Sequence, residues 1–360
     1  MNKVNGLNFE GETLFCGLDV HKTNWKVHLR LGDRELASFS QNPDPALLIA
    51  YFSKNYPGAK VEVVYEAGFC GFSAQRSLTA AGIACMVVNP ADVPTSDKEH
   101  KRKDDRRDAR KLCRELADGN SLTGIYIPTM EMEQARSLVR ERFRLVKDQT
   151  RCKNRIKHLL MFSGLKVGNI DARSQKYVKH LQELSCPTVS LRTALDLAIA
   201  EYLQIRKLLK DALLALRALS QEPAFQQVQP YLQSIEGIGL ITGLLIQTEI
   251  QDMRRFKDND HLCSYVGFVP DIKSSNDKMK VRGITHRRNP LLRESIIESS
   301  WIIIRKDPAM LMKYNKYRQH MNANKAIIRI GKHLLARIRY VWLNQKKYET
   351  GLVQGCVLEA

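Results

Sequence analysis

The chain has no apolar run near the roughly 18 residues that a membrane-spanning helix needs. Its longest candidates, Ile238 to Ile246 and Trp301 to Ile304, are short enough to be core. It does not open on a basic segment followed by an apolar stretch, so no secretory signal is expected. Its eight cysteines are scattered and no two are spaced as Cys-x₂₋₄-Cys. That excludes a zinc ribbon and points to reduced thiols in a cytoplasmic setting. Internal repeats and low-complexity tracts are absent too. Acids are scarce against bases, 38 Asp and Glu against 57 Lys and Arg, for a formal net charge of +19 over 360 residues. Such a balance calls for a polyanionic partner, nucleic acid by default with a nucleoid-associated location, although ribosomal or membrane-surface binding would also fit the charge alone. The length allows two or three domains with a well-buried core.

What is present divides into three parts and a tail. Residues 12–125 read as α/β. Leu14 to Asp19 and Trp25 to Leu31 are neighbouring strands across a polar turn, and Ala59 to Tyr65 and Ile83 to Val88 are further strands. Helical spacing covers Pro45 to Tyr56, Ser73 to Ala81 and the basic stretch from Asp105 to Asp118. Strands alternating with helices predict a mixed sheet with helices packed on it. Residues 130–220 hold two long amphipathic patterns, Glu131 to Phe162 and Val189 to Leu219, separated by a Gly/Pro-containing stretch from Gly164 to Pro187. They predict an antiparallel helical arm or coiled coil, serving as a plain linker or for oligomerisation or nucleic-acid contact. Residues 222–348 are strongly basic and mainly helical, and 349–360 read as a loose tail.

Four carboxylates stand in three places. Asp19 follows the apolar stretch Thr13 to Leu18, Glu66 follows Val61 to Tyr65, and Asp105 and Asp108 lie three apart among Lys101, Arg102, Lys103, Arg106, Arg107 and Arg110. Strand ends put Asp19 and Glu66 at a sheet edge, and helical spacing puts Asp105 and Asp108 on one face. Asp104 is also a helical neighbour of Asp108, so spacing alone does not choose between Asp104 and Asp105. Hard oxygen ligands of this kind suit two Mg²⁺ ions completed by a substrate phosphate, an arrangement that stabilises both oxygens of an in-line displacement. Each acid also has a plainer reading: a turn cap at Asp19, a strand-end polar residue at Glu66, a solvated helix face at Asp105 and Asp108. A sugar-kinase reading is weakened because Asp19 to Thr23 contains no glycine. A proofreading-exonuclease reading is weakened because position 21 is His rather than Glu.

Two further constellations lie downstream. Ser234 to Thr242 carries Gly237 and Gly239 before an apolar helix, a pattern similar to a helix-hairpin-helix turn, in which glycine permits close phosphate approach. Gly267 to Asn276 contains Ser274 and Ser275 in a polar loop. It is followed by Lys278, Lys280, Arg282, Arg287, Arg288 and Arg293, a set suited to phosphates. A serine there can attack a phosphodiester, although no His/Asp partner is adjacent in sequence.

In order, Gly-Leu-Asp19-Val-His-Lys, Tyr-Glu66-Ala-Gly, Asn89-Pro90 and Lys103-Asp-Asp105-x-x-Asp108-Ala-Arg resemble the Asp-Glu-Asp-Asp transposases of the insertion-sequence 110 family. Glu236-Gly-Ile-Gly, Tyr265-Val-Gly-Phe-Val-Pro270, Ser274-Ser275, Arg282-Gly-Ile-Thr and Leu291-Leu-Arg are similar to the C-terminal part of that family. The likeness runs from about residue 12 to 345, and Piv-type DNA invertases share the architecture. The resemblance implies a RuvC-like (ribonuclease-H-like) α/β domain, a coiled-coil arm and a C-terminal transposase domain supplying a nucleophilic serine, which maps to Ser275. The metal-binding acids map to Asp19, Glu66, Asp105 and Asp108. It further implies double-stranded DNA partners (element ends and target), a dimer or tetramer with a composite site, and, for some members, guidance by a structured bridge RNA.

The chain departs from the family pattern at Asp104, where Thr is common, and at Asn276 and Arg288, where Gly is usual. Asn tolerates a positive φ, so the turn after Ser275 can survive, and Ser274 stays open as an alternative attacking hydroxyl. The sequence reading is therefore a DNA transposase or site-specific recombinase. Its rivals are a Holliday-junction-type metal-dependent endonuclease and a non-catalytic nucleic-acid-binding protein.

Overall fold

The computed structural model describes residues 8–93, 105–119, 122–166, 174–275 and 278–351, with the side chains of residues 105, 106, 175, 272–275 and 278–282 outside that description. The chain divides into two compact units at Ile127/Pro128.

In the first unit, alternation along the strands decides which face meets which helix. Strand β1 (Thr13–Val20) pairs antiparallel with β2 (Trp25–Leu31), and β2 pairs antiparallel with β3 (Arg34–Gln41). On its other side β1 runs parallel to β4 (Lys60–Glu66), which runs parallel to β5 (Ala84–Val88). The result is a mixed sheet of order β3-β2-β1-β4-β5. Leu14, Cys16, Leu18, Val63 and Tyr65 point to one face. They form a core there with Leu48 and Phe52 of α1 (Pro45–Asn55) and Ala74 and Leu78 of α2 (Ser73–Ala80). Helix α1 starts where Asp44 caps it, its carboxylate accepting from the Ala46 amide at 2.8 Å, with Pro45 preset for the first turn. The opposite face receives α3 (Asp105–Ala117), whose Leu112 packs with Val64 and Val88.

The expected strands and helices of this unit are all present, and β3 is one more. Its Arg34, Glu35 and Leu36 are exposed, and it lies at the sheet's edge, so it carries little apolar alternation to read.

The second unit begins with α4 (Met130–Phe162), capped by Thr129, and α6 (Val189–Leu219), capped by Thr188. Ala135 and Val139 near the start of α4 share a core with Leu216 and Leu219 at the end of α6. Cys152, Ile156 and Leu160 share another with Leu195 to Ile205. The two helices therefore run antiparallel. Between them lies α5 (Gln175–Glu183), inside the stretch that the sequence leaves as a connection; its Tyr177, Val178 and Leu181 bury against the hairpin.

Short helices α7 (Pro223–Gln226) and α8 (Gln229–Gln233) lead to α9 (Leu240–Ile250) and α10 (Asn259–Val266). Then come strands β6 (Pro270–Ser275) and β7 (Lys278–Ile284), followed by α11 (Pro290–Lys306), α12 (Pro308–Arg318) and α13 (Ala323–Asn344). The main core joins Ile246, Ile250, Phe268, Leu292, Ile296, Ile330 and Leu334, drawn from three of these helices and the turn before β6. The segment expected as a polar loop around Ser274 and Ser275 is instead half of an antiparallel β-hairpin. Its Ile-Lys-Ser-Ser composition gives almost no apolar alternation. Beyond α13, the Tyr348 hydroxyl donates to Asp307, and its backbone amide donates to Ser234 Oγ at 2.7 Å, which ties down the chain leading to the tail. No described helix is long and apolar enough to cross a membrane.

Candidate active site

Asp19, Glu66 and the backbone of the N-terminal turn of α3 come to one end of one sheet face, for reasons that start with strand register. Gly17 pairs with Val64 and Leu18 with Tyr65 across the parallel β1–β4 ladder. One residue further on, Asp19 and Glu66 stand side by side at the strand ends. Side chains alternate, so both belong to the face of Gly17 and Val64, the face covered by α3. Gly17 is where α3 touches the sheet most closely. A Cβ there would lie 2.0 Å from the Ala109 carbonyl oxygen and 2.6 Å from the Cys113 amide nitrogen. The Cys113 thiol donates to the Phe15 carbonyl at 3.3 Å. As β1 climbs from Phe15 through Gly17 to Asp19, α3 descends from Cys113 through Ala109 to its N-terminal turn. That turn, with Asp108 and the backbone of Asp105, therefore overlies the end of the sheet that carries Asp19 and Glu66.

Two interactions hold α3 in place. Ala109, Leu112 and Cys113 are buried, which is the main term at about 1.5–3 kcal/mol for each large apolar side chain. The Arg110 guanidinium makes a two-pronged contact with the Glu35 carboxylate on β3, both bonds at 2.7 Å. This pair is half-exposed, so it orients more than it stabilises, about 0.2–1 kcal/mol. Burial pushes the Cys113 thiol up to about 12 and that of Cys16 well above its ordinary value, so both stay protonated packing groups.

Asp19 is partly buried, and His21 Nε2 lies 2.9 Å from its Oδ2. The sequence reading used His21 only to weaken the exonuclease alternative and missed this contact; the i, i+2 spacing across the strand end was its one signal. Asp19, Glu66 and Asp108, at or near this end of the sheet, offer carboxylate oxygens as donors. That chemistry suits Mg²⁺ rather than a thiol- or imidazole-bound metal. Among the described residues no group of three His, Cys, Asp or Glu forms a ready-made metal site, and the Asp105 side chain lies outside that set. Lys101, Arg102, Lys103 and Asp104 lie outside the described residues, as does the Arg106 side chain, while Arg107 is exposed on α3.

The basic and serine-bearing elements belong to the second unit. Ser275 pairs with Lys278 at the end of the β6–β7 ladder and Ser274 with Met279, which puts the serine pair at the hairpin tip. The side chains of both serines, Lys278, Lys280 and Arg282 lie outside the described set. Arg287 and Arg288 are exposed after the hairpin. Arg293 is a correction: it is 9 % exposed, and its Nη1 donates to the carbonyls of Gly267 at 2.8 Å and Thr285 at 2.9 Å. It staples the two ends of the hairpin base together and is not a surface cation for phosphate.

Gly237 also has a packing role, because at φ +91° a Cβ would stand 2.8 Å from the Ser299 carbonyl oxygen on α11. Gly239, by contrast, opens α9 with nothing near its Cβ position. Among the aromatics of this unit, Tyr314, Tyr317 and Trp342 pack on the core, and Tyr340 is 54 % exposed.

A mixed α/β sheet unit followed by a mainly helical unit is consistent with a transposase of the DEDD class. A family model described as a transposase of the DEDD type in IS110 elements matches residues 16–163, from β1 to the end of α4. A second, described as the transposase IS116/IS110/IS902 family, matches residues 229–315. The chain belongs to the IS110/IS116/IS902 family of transposases.

Among its relatives are y4qE and y4rJ of Sinorhizobium fredii, whose names assign them provisionally to the transposases. The first is 29 % identical over 250 residues, 68 % of this chain and 59 % of the relative. The second is 29 % identical over 325 residues, 82 % and 81 % of the two chains. The transposase for insertion sequence element IS1111A of Coxiella burnetii is 28 % identical over 232 residues, 64 % of this chain and 62 % of the relative. The chain thus spans about three fifths of the length of two of these relatives.

Proposed function

We propose that this chain is the transposase of an insertion element, cutting and rejoining double-stranded DNA at element ends and target. One observation carries the reading: β1, β4 and α3 converge so that Asp19, Glu66 and the N-terminal turn of α3, with Asp105 and Asp108, share one end of one sheet face. The mixed sheet order supports a RuvC-like assignment for residues 12–125. The antiparallel long helices support a coiled-coil arm over 130–220, and 222–348 forms the C-terminal transposase domain.

In this reading Asp19, Glu66, Asp105 and Asp108 hold two Mg²⁺ ions. When bound, these would supply Lewis-acid stabilisation of the scissile phosphate. His21 keeps the Asp19 carboxylate oriented. The Ser275 hydroxyl attacks phosphorus: the Oγ–P bond forms, the P–O bond to the departing strand breaks, and the serine proton passes to the departing oxygen or to water. Attack by the hydroxyl of an incoming strand on the phosphoserine reverses the step, so the phosphodiester is conserved without ATP. Exposed Arg287 and Arg288 and the hairpin's own Lys278 and Lys280 line up the DNA backbone, and a structured bridge RNA selects the target. The likeness to the family supports a dimer or tetramer with a composite site as the working form.

The test is covalent trapping: full-length protein, co-purifying RNA, Mg²⁺ and labelled element-end DNA are mixed, denatured and resolved on a gel. A label-shifted protein band lost in Ser275→Ala is expected. Cleaved DNA without any adduct would favour the Holliday-junction-type nuclease. Cleavage surviving in Asp19→Asn would remove the acidic cluster from the mechanism.

A further inference from the structure

A buried carboxylate in the second unit joins the arm to the hairpin, and the reaction as read above makes no use of it. Glu249, near the end of α9, is 1 % exposed. Its Oε1 accepts from Arg140 Nε at 2.7 Å and its Oε2 from Arg140 Nη2 at 2.9 Å, so α4 grips it with both prongs of one guanidinium. The same Oε2 accepts from Asn289 Nδ2 at 2.7 Å. The Glu249 carbonyl accepts from the Tyr265 hydroxyl on α10 at 2.8 Å, and Arg136 Nε donates to the neighbouring Thr248 carbonyl at 3.0 Å. Three elements, α4, α10 and the cap of α11, therefore converge on one residue of α9 that lies outside the acidic cluster and the serine hairpin.

Asn289 is what connects this hub to the hairpin. Its Oδ1 caps α11 by accepting from the Leu292 amide at 3.1 Å while its Nδ2 faces Glu249. It lies five residues past the last residue of β7, Ile284. One turn into α11, Arg293 clasps the Gly267 and Thr285 carbonyls that bracket the hairpin. The other side of the base is equally constrained. Gly267 ends α10 at φ +92°, where a Cβ would come within 2.5 Å of Arg288 Cβ, and Phe268 is buried beneath Gly331. A hairpin held this firmly at its base inherits its direction from whatever holds Asn289.

A plain hydrophobic contact would fix that junction as well, with less desolvation. Burying a carboxylate is costly unless its geometry is used, and the best-attested use is to specify one arrangement over others. We infer that Glu249 and Asn289 are positioning residues: the arm sets Glu249 through Arg140, and Glu249 sets the hairpin that presents Ser275 through Asn289. The inference rests on the serine reading above. Arm placement, which oligomerisation or nucleic-acid binding would determine, is thereby tied to presentation of the nucleophile, so a wrongly assembled complex holds its serine off line.

Asn289→Ser is the discriminating variant. Serine keeps an oxygen to cap α11 but is too short and lacks the amide to donate to Glu249. The trapping assay is run as single-turnover kinetics at saturating element-end DNA, beside DNA affinity and thermal melting, with Glu249→Gln as a second variant and Ser275→Ala as the reference. Expected for Asn289→Ser are melting and affinity close to those of the unaltered protein and adduct formation slowed on the order of 10–100-fold, the scale of a misplaced reacting group; Glu249→Gln, which also takes the charge from the buried Arg140 pair, should slow the adduct likewise and melt lower. A purely structural role would lower the melting temperature and leave the rate of the folded fraction unchanged. An unaltered rate in Asn289→Ser while Ser275→Ala forms no adduct overturns the positioning role alone. An adduct that persists in Ser275→Ala overturns the serine reading and this inference with it.

Discussion

Gly17 of β1 lies so close under Ala109 of α3 that a single methyl group would stand 2.0 Å from the Ala109 carbonyl oxygen. That contact fixes the height of α3 over the sheet, and with it the distance of Asp108 from Asp19 and Glu66. Gly17→Ala cannot be absorbed by a flexible side chain, because the obstacle is helix backbone. Overpacking of this kind costs about 1–3 kcal/mol. The expected outcome is a lowered melting temperature together with loss of Mg²⁺-dependent cleavage in the folded fraction. Cleavage at the original rate would mean that α3 can lift without disturbing the acids, and that they do not act as a cluster.

Asp19 and His21 are expected to separate in their effects. Asp19→Asn removes a proposed ligand and should abolish cleavage while DNA binding persists. His21→Ala removes the group 2.9 Å from Asp19 Oδ2 and leaves the carboxylate in place. Partners that orient a metal ligand are worth about 10–100-fold in metal affinity or activity. His21→Ala should therefore be a partial defect, visible as a higher Mg²⁺ concentration for half-maximal cleavage. An identical Mg²⁺ titration would show that His21 merely covers the strand end.

How much of this was legible beforehand follows from where each signal resides. The strands bearing Asp19 and Glu66 are apolar and alternate, and the Ala109, Leu112 and Cys113 spacing gave α3, so the framework of the acidic site was readable. β3 and the serine hairpin were not, because an edge strand with Arg34 and Glu35, and a strand of Ile-Lys-Ser-Ser, present no apolar period. Arg293 was misjudged for a related reason. A string of basic residues reads as one phosphate-binding surface, and only the fold distinguishes the arginine that turns inward to Gly267 and Thr285. Glu249 and Asn289, 40 residues apart, carry no sequence pattern at all.

Arg287 and Arg293 therefore make opposite predictions despite lying six residues apart. Arg287 is exposed, and replacing it with Ala should weaken DNA binding across sequences, reducing the salt slope by roughly one while the melting temperature holds. Arg293→Met leaves the buried Gly267 carbonyl and the part-buried Thr285 carbonyl without their donor, at about 1–3 kcal/mol for the buried one. It should lower the melting temperature with little change in the salt slope of the folded protein. A reversed pattern would return Arg293 to the nucleic-acid surface.

The last prediction concerns pH. His333 on α13 lies with Nε2 2.9 Å from the Tyr317 hydroxyl, the two rings stacked. Burial lowers its pKa from the ordinary 6.5 to about 4, and Lys313, Arg337, Arg329 and Lys332 add to the effect. The unfolded chain thus binds a proton that the folded chain refuses between pH 6.5 and about 4. Linkage then makes stability rise with pH across that window; the contribution is present above 6.5 and is lost as pH falls toward 4. His333→Gln keeps an acceptor for the Tyr317 hydroxyl and does not titrate, so its melting temperature should fall less between neutral and mildly acid pH. If both proteins lose stability in parallel over that range, protonation of His333 is not what opens this face, and carboxylates elsewhere carry the acid sensitivity.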